Sequence, residues 1–196
     1  MVDLSELFGE GWCVTLAHLP PAQVLQRMGV LNVAEVADGL DLATERLEAA
    51  GTGPEVLLLG RELTNGWSLV LELEGSSGWS GMDQGVLAAL SEGGRVAVSA
   101  FEDPNQMMAH LAADGRVVCE VDFISGRLSF ETADGDGTVG DLLSLGFAQV
   151  DEPSGQAAAA DVAERAALAL GAVTGVVLEE EDFEGPWLGG LSVVGA

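Results

Sequence analysis

Three two-residue turn signals divide the middle of the chain, and each one separates two segments with strand character. The dipeptides are Asn65-Gly66, Asp114-Gly115 and Ser125-Gly126. Gly, and to a lesser extent Asn and Asp, adopts a positive φ at little cost, so such pairs favour tight hairpin turns. A hairpin joins neighbouring strands in antiparallel order. The sequence therefore predicts a meandering antiparallel sheet of about five or six strands.

The segments around these turns carry the alternation of a half-buried strand. Residues 56–63 and 67–73 flank the first turn, and residues 106–112 and 116–123 flank the second. In the last of these, one set of side chains is apolar and predicted to face the core, while a second set between them faces the other way. The apolar set is Val117, Cys119, Val121 and Phe123, and the intervening set is Val118, Glu120 and Asp122.

Other segments have helical spacing. Residues 21–28 follow Pro20-Pro21, and proline is tolerated in the first turn of a helix. Residues 33–50 place apolar side chains at helical intervals, with Gly39 as a weak point, and residues 156–170 are rich in Ala. We expect the helices to pack on one face of the sheet. The predicted fold is one α+β domain over residues 1–196, with a sheet-containing core at 11–150 and a helical segment at 156–190 packed on it.

Charge constrains the partners of this chain more than any motif does. Asp and Glu total 32 against seven basic residues, all of them Arg, for a formal net charge of −25. A field of that sign attracts cationic partners and repels nucleic acid and anionic membrane surfaces. The hydrophobic fraction of 48% is too high for a disordered acidic tail. We therefore expect a folded acidic protein with a basic protein partner, no nucleic-acid partner and no membrane partner.

The sequence also indicates a cellular compartment and the state of the two cysteines. The first ten residues lack a basic region followed by an apolar run, and no stretch reaches the length of a membrane helix. A cytoplasmic location is the expectation. Cys13 and Cys119 lie in apolar strand-like segments, and two cysteines imply no disulfide framework, so buried free thiols are expected.

Catalytic and metal-binding patterns are weak. His18 and His110 are the two histidines, and both are expected to be structural. A catalytic triad is recognised by its geometry, which a sequence does not contain. The Gly-rich residues 75–81 favour a flexible loop, since the chain has no Lys for a phosphate-binding loop. No cofactor is expected.

An acidic, Gly-rich loop contains Asp134, Asp136 and Asp141, whose carboxylates are the kind of oxygen ligand that calcium prefers. Counted from Asp134, the sixth and twelfth positions of an EF-hand loop hold Val139 and Leu145 instead of Gly and Glu. A solvated acidic turn is the favoured interpretation. We expect no tightly bound metal.

The densest charge run lies near the end of the chain, followed by a tryptophan beside a proline. As a solvated helix start, the run would place acids at the positive end of a helix dipole. As a binding epitope, it would give on-rate and specificity toward a basic partner, with the tryptophan as an anchor. The candidate partner-binding residues are Glu179, Glu180, Glu181, Asp182, Glu184 and Trp187.

Several segments, in order, resemble a family of uncharacterised proteins that is common in actinobacteria and is known only as a domain of unknown function. The match covers most of residues 11 to 190. The chain departs from the family at Glu179-Glu180-Glu181, where the family has Thr-Pro-Glu, which indicates a more acidic member. The resemblance implies no catalytic residues. The matching segments are Gly11-Trp12-Cys13, the run from Asn65 to Glu72, Leu90-Ser91, the run from Ala112 to Val118, and Thr174-Gly175-Val176.

No catalytic signature emerges, so enzyme activity is not predicted. We expect a non-catalytic acidic binding protein, most concretely an inhibitor or immunity-type protein that neutralises a basic partner. Two alternatives stay open. One is a small-ligand-binding protein or enzyme whose pocket is invisible in sequence, and the other is a structural subunit of a larger complex.

Overall fold

The computed structural model describes residues 2–9, 11–48, 55–73, 79–130, 148–149 and 162–193. Five helices lie in these ranges, together with 3-10 turns at Thr64–Gly66, Ser80–Met82 and Glu180–Phe183. The helices are α1 (Leu4–Phe8), α2 (Pro21–Arg27), α3 (Gly39–Glu48), α4 (Gln84–Ser91) and α5 (Val162–Thr174). The strands are β1 (Trp12–Ala17), β2 (Ala34–Val36), β3 (Glu55–Glu62), β4 (Ser68–Glu72), β5 (Val96–Asp103), β6 (Gln106–Ala113), β7 (Arg116–Asp122), β8 (Arg127–Phe130), β9 (Ala148–Gln149) and β10 (Trp187–Val193).

All strands belong to one sheet in the order β2-β10-β3-β4-β1-β5-β6-β7-β8-β9. The first nine strands of this order pair antiparallel, and the two-residue β9 pairs parallel with β8. The α+β class and the antiparallel sheet are confirmed, and all three predicted turns join paired strands. The prediction of five or six strands was too low, because β2 and β9 are too short and β10 is too rich in glycine to carry a strand pattern.

The C-terminal segment is not purely helical. Trp187, the candidate anchor beside the acidic run, begins β10, which lies between β2 and β3 inside the sheet. Its pairing partner β2 falls within residues 33–50, which were predicted to be helical with a weak point at Gly39. In the described part of that range, the helix comprises Gly39–Glu48. The helix begins at Gly39, and a Cβ at this position would lie 2.8 Å from the Trp187 indole. Glycine therefore allows the close approach of the backbone to this ring.

Helices cover both faces of the sheet, which corrects the expectation of one covered face. On the first face, α1, α3 and α5 contribute Leu4, Ala43 and Leu170 to a core that contains Trp12 and Val14. On the second face, the side chains of α2 and α4 pack over alternate residues of the same strands: Val24, Leu25, Leu87 and Leu90 over Ala17, Leu58, Val70, Ala97 and Ala112. Every residue of β1 is buried, as expected for a central strand covered on both sides.

A β-bulge interrupts the alternation predicted for residues 116–123. Leu111 pairs with Cys119 but Ala112 pairs with Val117, so Val118 is an extra residue on β7. The bulge sends Val117 to the second face, while Cys119 and Val121 stay in the core of the first face. The alternation therefore holds from Cys119 onward and fails before it.

Both cysteines are free and buried in strands, as predicted. Among the described helices, none is both long enough and apolar enough to cross a membrane.

Candidate functional site

A buried cluster of small polar side chains lies on the second face of the sheet. Thr15 of β1 and Ser99 of β5 are paired across the strands, and their hydroxyl oxygens are 2.8 Å apart. The Cys13 Sγ lies 3.4 Å from the Ser99 hydroxyl. Ser99 also donates to the carbonyl of Val14 at 3.3 Å. All three side chains are at most 1% exposed, so hydrogen bonding within the cluster offsets the loss of water.

The turn Ser80–Met82 covers this cluster and is held there by a buried carboxylate. Glu72 of β4 is 1% exposed, and it accepts hydrogen bonds from the backbone amides of Ser80, at 2.9 Å, and Gly81, at 3.3 Å. Gly81 fits closely over the cluster: a Cβ there would lie 2.6 Å from the Ser99 hydroxyl and 2.9 Å from the Cys13 sulfur. The turn therefore seals the cluster from solvent.

The two thiols are chemically quiet in this environment. Burial raises the pKa of Cys13 well above its ordinary value, and the nearby Glu72 carboxylate raises it further. Burial raises the pKa of Cys119 to about 11. A thiol that stays protonated is a poor nucleophile and a poor metal ligand. Neither cysteine is therefore placed for thiolate chemistry.

The polar row continues sideways along the sheet. Ser99 pairs with His110 of β6, and His110 pairs with Glu120 of β7, with 3.7 Å between His110 Nε2 and Glu120 Oε1. The His110 Nδ1 is buried, and no group among the described residues meets hydrogen-bond geometry with it. Burial lowers the pKa of His110 below its ordinary value of 6.5, against the opposing effects of Glu120 and of the Met82 backbone. The imidazole is therefore neutral at neutral pH.

The row ends in an open cleft of about 500 Å³ between β7, β8 and the start of α4. Its polar side chains are Gln84, Arg116, Glu120 and Ser129. Glu120 lies between His110 on one neighbouring strand and Ser129 on the other. The cleft therefore presents one carboxylate flanked by neutral hydrogen-bonding groups, with Arg116 in its wall.

This arrangement suits binding better than covalent catalysis. The hydroxyl of Ser99 bonds to Thr15, Cys13 and Val14, and in the described ranges no hydrogen bond joins it to His110. Gly81 also covers Ser99, so a substrate carbonyl has no approach to it. A nucleophile needs both a base within hydrogen-bond reach and access to substrate. The expectation that His110 is structural stays a prediction.

The predicted partner-binding run forms a short, tightly fixed turn. Glu179 and Asp182 cap each other's backbone amides, and Phe183 packs its ring 5.3 Å from that of Phe8 in α1. The Val2 amide donates to the carbonyl of Leu178 at 3.0 Å. These contacts bring the N-terminal segment alongside the acidic turn and hold both in place.

The candidate partner-binding residues have different environments. Glu179, Glu180, Glu181 and Glu184 are exposed, and Asp182 is half-buried. Trp187 is 2% exposed, and the guanidinium of Arg61 lies 5.5 Å from the centre of its ring. Arg61 also donates to the backbone carbonyls of Glu181 and Glu184. Trp187 thus packs in the core beneath the turn, and partner binding by the five acids stays a prediction.

Other predicted positions contribute less. The loop with Asp134, Asp136 and Asp141 lies outside the described residues. Within the described ranges, no three His, Cys, Asp or Glu side chains come close enough to hold a metal ion. His18 is exposed, lies 3.2 Å from the carbonyl oxygen of Asn65 and packs edge-on against Trp67.

A larger open cavity of about 1120 Å³ lies around the C-terminal end of α2, the start of α4 and the strands β2 and β10. The sequence carries no pattern that indicates it. Its lining is mainly apolar and includes Leu31, which is 90% exposed, and Leu191, which is 41% exposed. The two arginines in its wall are already engaged: Arg27 with the carbonyl of Ala89, and Arg46 with that of Glu55.

Replacing Gly81 with alanine should destabilise the fold by about 1–3 kcal/mol, because the new methyl group overpacks the polar cluster. Gly85→Ala is the matched control. Its Cβ would lie 3.1 Å from Asp83 Oδ1, which caps the helix and need shift only by a few tenths of an ångström, and alanine favours the helix, so stability should be unchanged or slightly higher. Chemical denaturation of the two variants measures the difference. Equal stabilities would mean that the turn does not fit closely on the sheet.

The His110 imidazole should titrate below pH 6.5 in the folded protein, and Glu120→Gln should lower its pKa further by removing an anion that favours the charged ring. Since the unfolded chain then binds the proton more tightly, the contribution of His110 to stability is present above pH 6.5. It is lost as the pH falls through 6.5 toward the folded-state pKa. NMR titration, supported by unfolding of His110→Gln across the same pH range, tests this. A folded-state pKa above 6.5 would contradict it.

Comparison with known proteins agrees with the family resemblance. No curated protein and no solved structure matches the chain significantly. One family model, described as a family of unknown function, matches residues 3–185. An actinobacterial source stays a prediction. With this match spanning strands β1 to β9, the buried polar cluster and the acidic turn, the chain belongs to the family of unknown function DUF6461.

Proposed function

We propose that this protein is a non-catalytic binding protein that engages a basic protein partner, in the manner of an inhibitor or immunity protein. The observation that carries the proposal is the fixed acidic turn at residues 179–184 on a chain of net charge −25. Glu180, Glu181 and Glu184 form no ion pair within the described part of the chain. Their charges are therefore available to a partner.

The rigidity of the turn supports this function. A surface salt bridge contributes little when two long side chains must first be ordered. Here the backbone that bears the acids is already fixed by the mutual caps, by the Phe8–Phe183 contact and by Arg61 beneath it. Binding would then order only the side chains. The overall negative field would speed the encounter, and the turn would select the register.

Association with the basic partner should depend steeply on salt and on these three acids. The partner is captured from native lysate at low salt, and its association rate is measured at rising ionic strength. The rate should fall about tenfold or more in high salt, because screening removes the steering field. A triple variant with Glu180, Glu181 and Glu184 changed to Lys should be slower still. The caps at Glu179 and Asp182 are left intact.

The matched control changes three exposed acids around α3 instead, Asp38, Asp41 and Glu45, to Lys. It alters the net charge equally, so it separates the turn from the overall field. The turn variant should lose more affinity than the control. An association rate that is insensitive to salt would overturn electrostatic engagement. Equal losses in the two variants would remove the turn from the interface.

A second candidate function, small-ligand binding, is favoured by the cavity of about 1120 Å³. Cavities of this size with mainly apolar walls and a few polar groups are typical of ligand sites. Asn32 supplies a polar group in its wall besides the engaged arginines and Ser192, whose buried hydroxyl donates to the Met28 carbonyl. Thermal stabilisation by a member of a metabolite panel, lost when Leu191 is changed to Arg, would favour this function. Absence of any stabilisation across the panel would disfavour it.

A further inference from the structure

We propose that the cleft at Glu120 is a binding site for a guanidinium or ammonium group, and that its occupant is a basic side chain of the partner protein. The inference rests on the proposed function for the source of the cation. The site itself rests on the geometry of Glu120, His110, Ser129 and Gln84. It is distinct from the acidic turn at residues 179–184.

The position of Glu120 in the sheet makes it a receptor for a cation. It lies between His110 and Ser129 in one row across three strands, and it lines the cleft together with Gln84 of α4. Its carboxylate can accept two hydrogen bonds from a planar guanidinium. The Ser129 hydroxyl and the Gln84 amide oxygen add neutral acceptors for the remaining N–H groups.

The neighbouring imidazole does not compensate the negative charge of the Glu120 side chain. His110 is largely buried behind Glu120, with its Nε2 3.7 Å from Glu120 Oε1. A neutral imidazole at this distance does not cancel the negative charge. The neighbours of Glu120 in its row are thus uncharged at neutral pH. The electrostatic attraction for an incoming cation is retained.

Among the described residues that line this cleft, Arg116 is the cation that competes for Glu120. It lines the same cleft but is exposed at the start of β7, and no ion pair between it and Glu120 forms. The bulge at Val118 lies between the two residues on the strand. Arg116 therefore raises the local potential without occupying the carboxylate. Its removal should strengthen the binding of an external cation, whereas removal of Glu120 should weaken it.

The two histidines of the chain provide a direct readout. The intact protein is titrated with N-acetyl-arginine amide, a monocation, and the imidazole signals of His110 and His18 are followed by NMR. N-acetyl-norvaline amide, which lacks the charge, is the neutral control probe. The His110 signals should shift saturably with the cationic probe only. The His18 signals should not move, because His18 lies beside Asn65 and Trp67, away from the cleft.

Three variants decide the assignment. Glu120→Gln should weaken binding of the cationic probe about tenfold or more, while Arg116→Gln should strengthen it. Glu45→Gln, an exposed acid on α3, is the charge-matched control and should leave binding unchanged. Arg116→Gln alters only an exposed side chain, so it keeps the test informative if Glu120→Gln perturbs folding.

The site is overturned if the His110 signals do not respond to the cationic probe, or if Arg116→Gln weakens binding. A response that is equal in wild type and in a folded Glu120→Gln variant also overturns it. The proposed function has a separate test in the association rate of the acidic-turn variant. If the probe does not bind in the cleft while the association rate stays salt-dependent, this site is refuted and the proposal of a basic protein partner is retained.

Discussion

The buried carboxylate of Glu72 is the interaction on which the second face of this protein depends. A charged group in the interior is costly unless hydrogen bonds replace its water. Here the backbone amides of Ser80 and Gly81 do so. The same two hydrogen bonds fix the turn Ser80–Met82 over the Thr15–Ser99 pair, and α4 begins directly after this turn. The position of α4, and with it one wall of the Glu120 cleft, follows from this carboxylate.

Acidic residues thus have two opposite roles in one chain. Glu72 is enclosed and satisfied by backbone donors, and it organises a face of the sheet. Glu180, Glu181 and Glu184 are exposed, carry no internal partner in the described ranges, and lie on a turn whose backbone is fixed. Glu120 is intermediate, half-buried beside a neutral histidine. The acidic residues behind the net charge of −25 therefore differ in their effects, because each carboxylate acts according to its own degree of burial.

Local signals in the sequence were sufficient for the hairpins and insufficient for the rest of the sheet. Asn65-Gly66 and Asp114-Gly115 act through neighbouring residues, so the turns they predict are found in the structure. The pairing of β10 with β2 and β3 joins residues more than a hundred positions apart, and two glycines within β10 hide its alternation. The prediction that helices cover one face was wrong because the second face of β1 is formed by small residues such as Thr15 and Ala17. The polarity of such residues does not indicate that they are buried.

The polar row was hidden for a related reason. Residues Thr15, Ser99, His110 and Glu120 lie on four strands, and only their register across the sheet brings them together. Each one alone is an ordinary strand residue. The sequence alternation places Glu120 on the face opposite to that of Cys119 and Val121. This one signal identified the face of Glu120 but not its neighbours across the sheet.

The most direct test of the central role of Glu72 is the free energy of unfolding of Glu72→Gln, with Glu62→Gln as the control. Glu62 is an exposed acid on the neighbouring strand β3. Loss of the charge-assisted acceptors should destabilise the Glu72 variant by about 2–3 kcal/mol, and amide exchange at Ser80 and Gly81 should become faster. The control should stay within about 0.5 kcal/mol of wild type. Equal stability of the two variants, with slow exchange retained at both amides, would contradict the account.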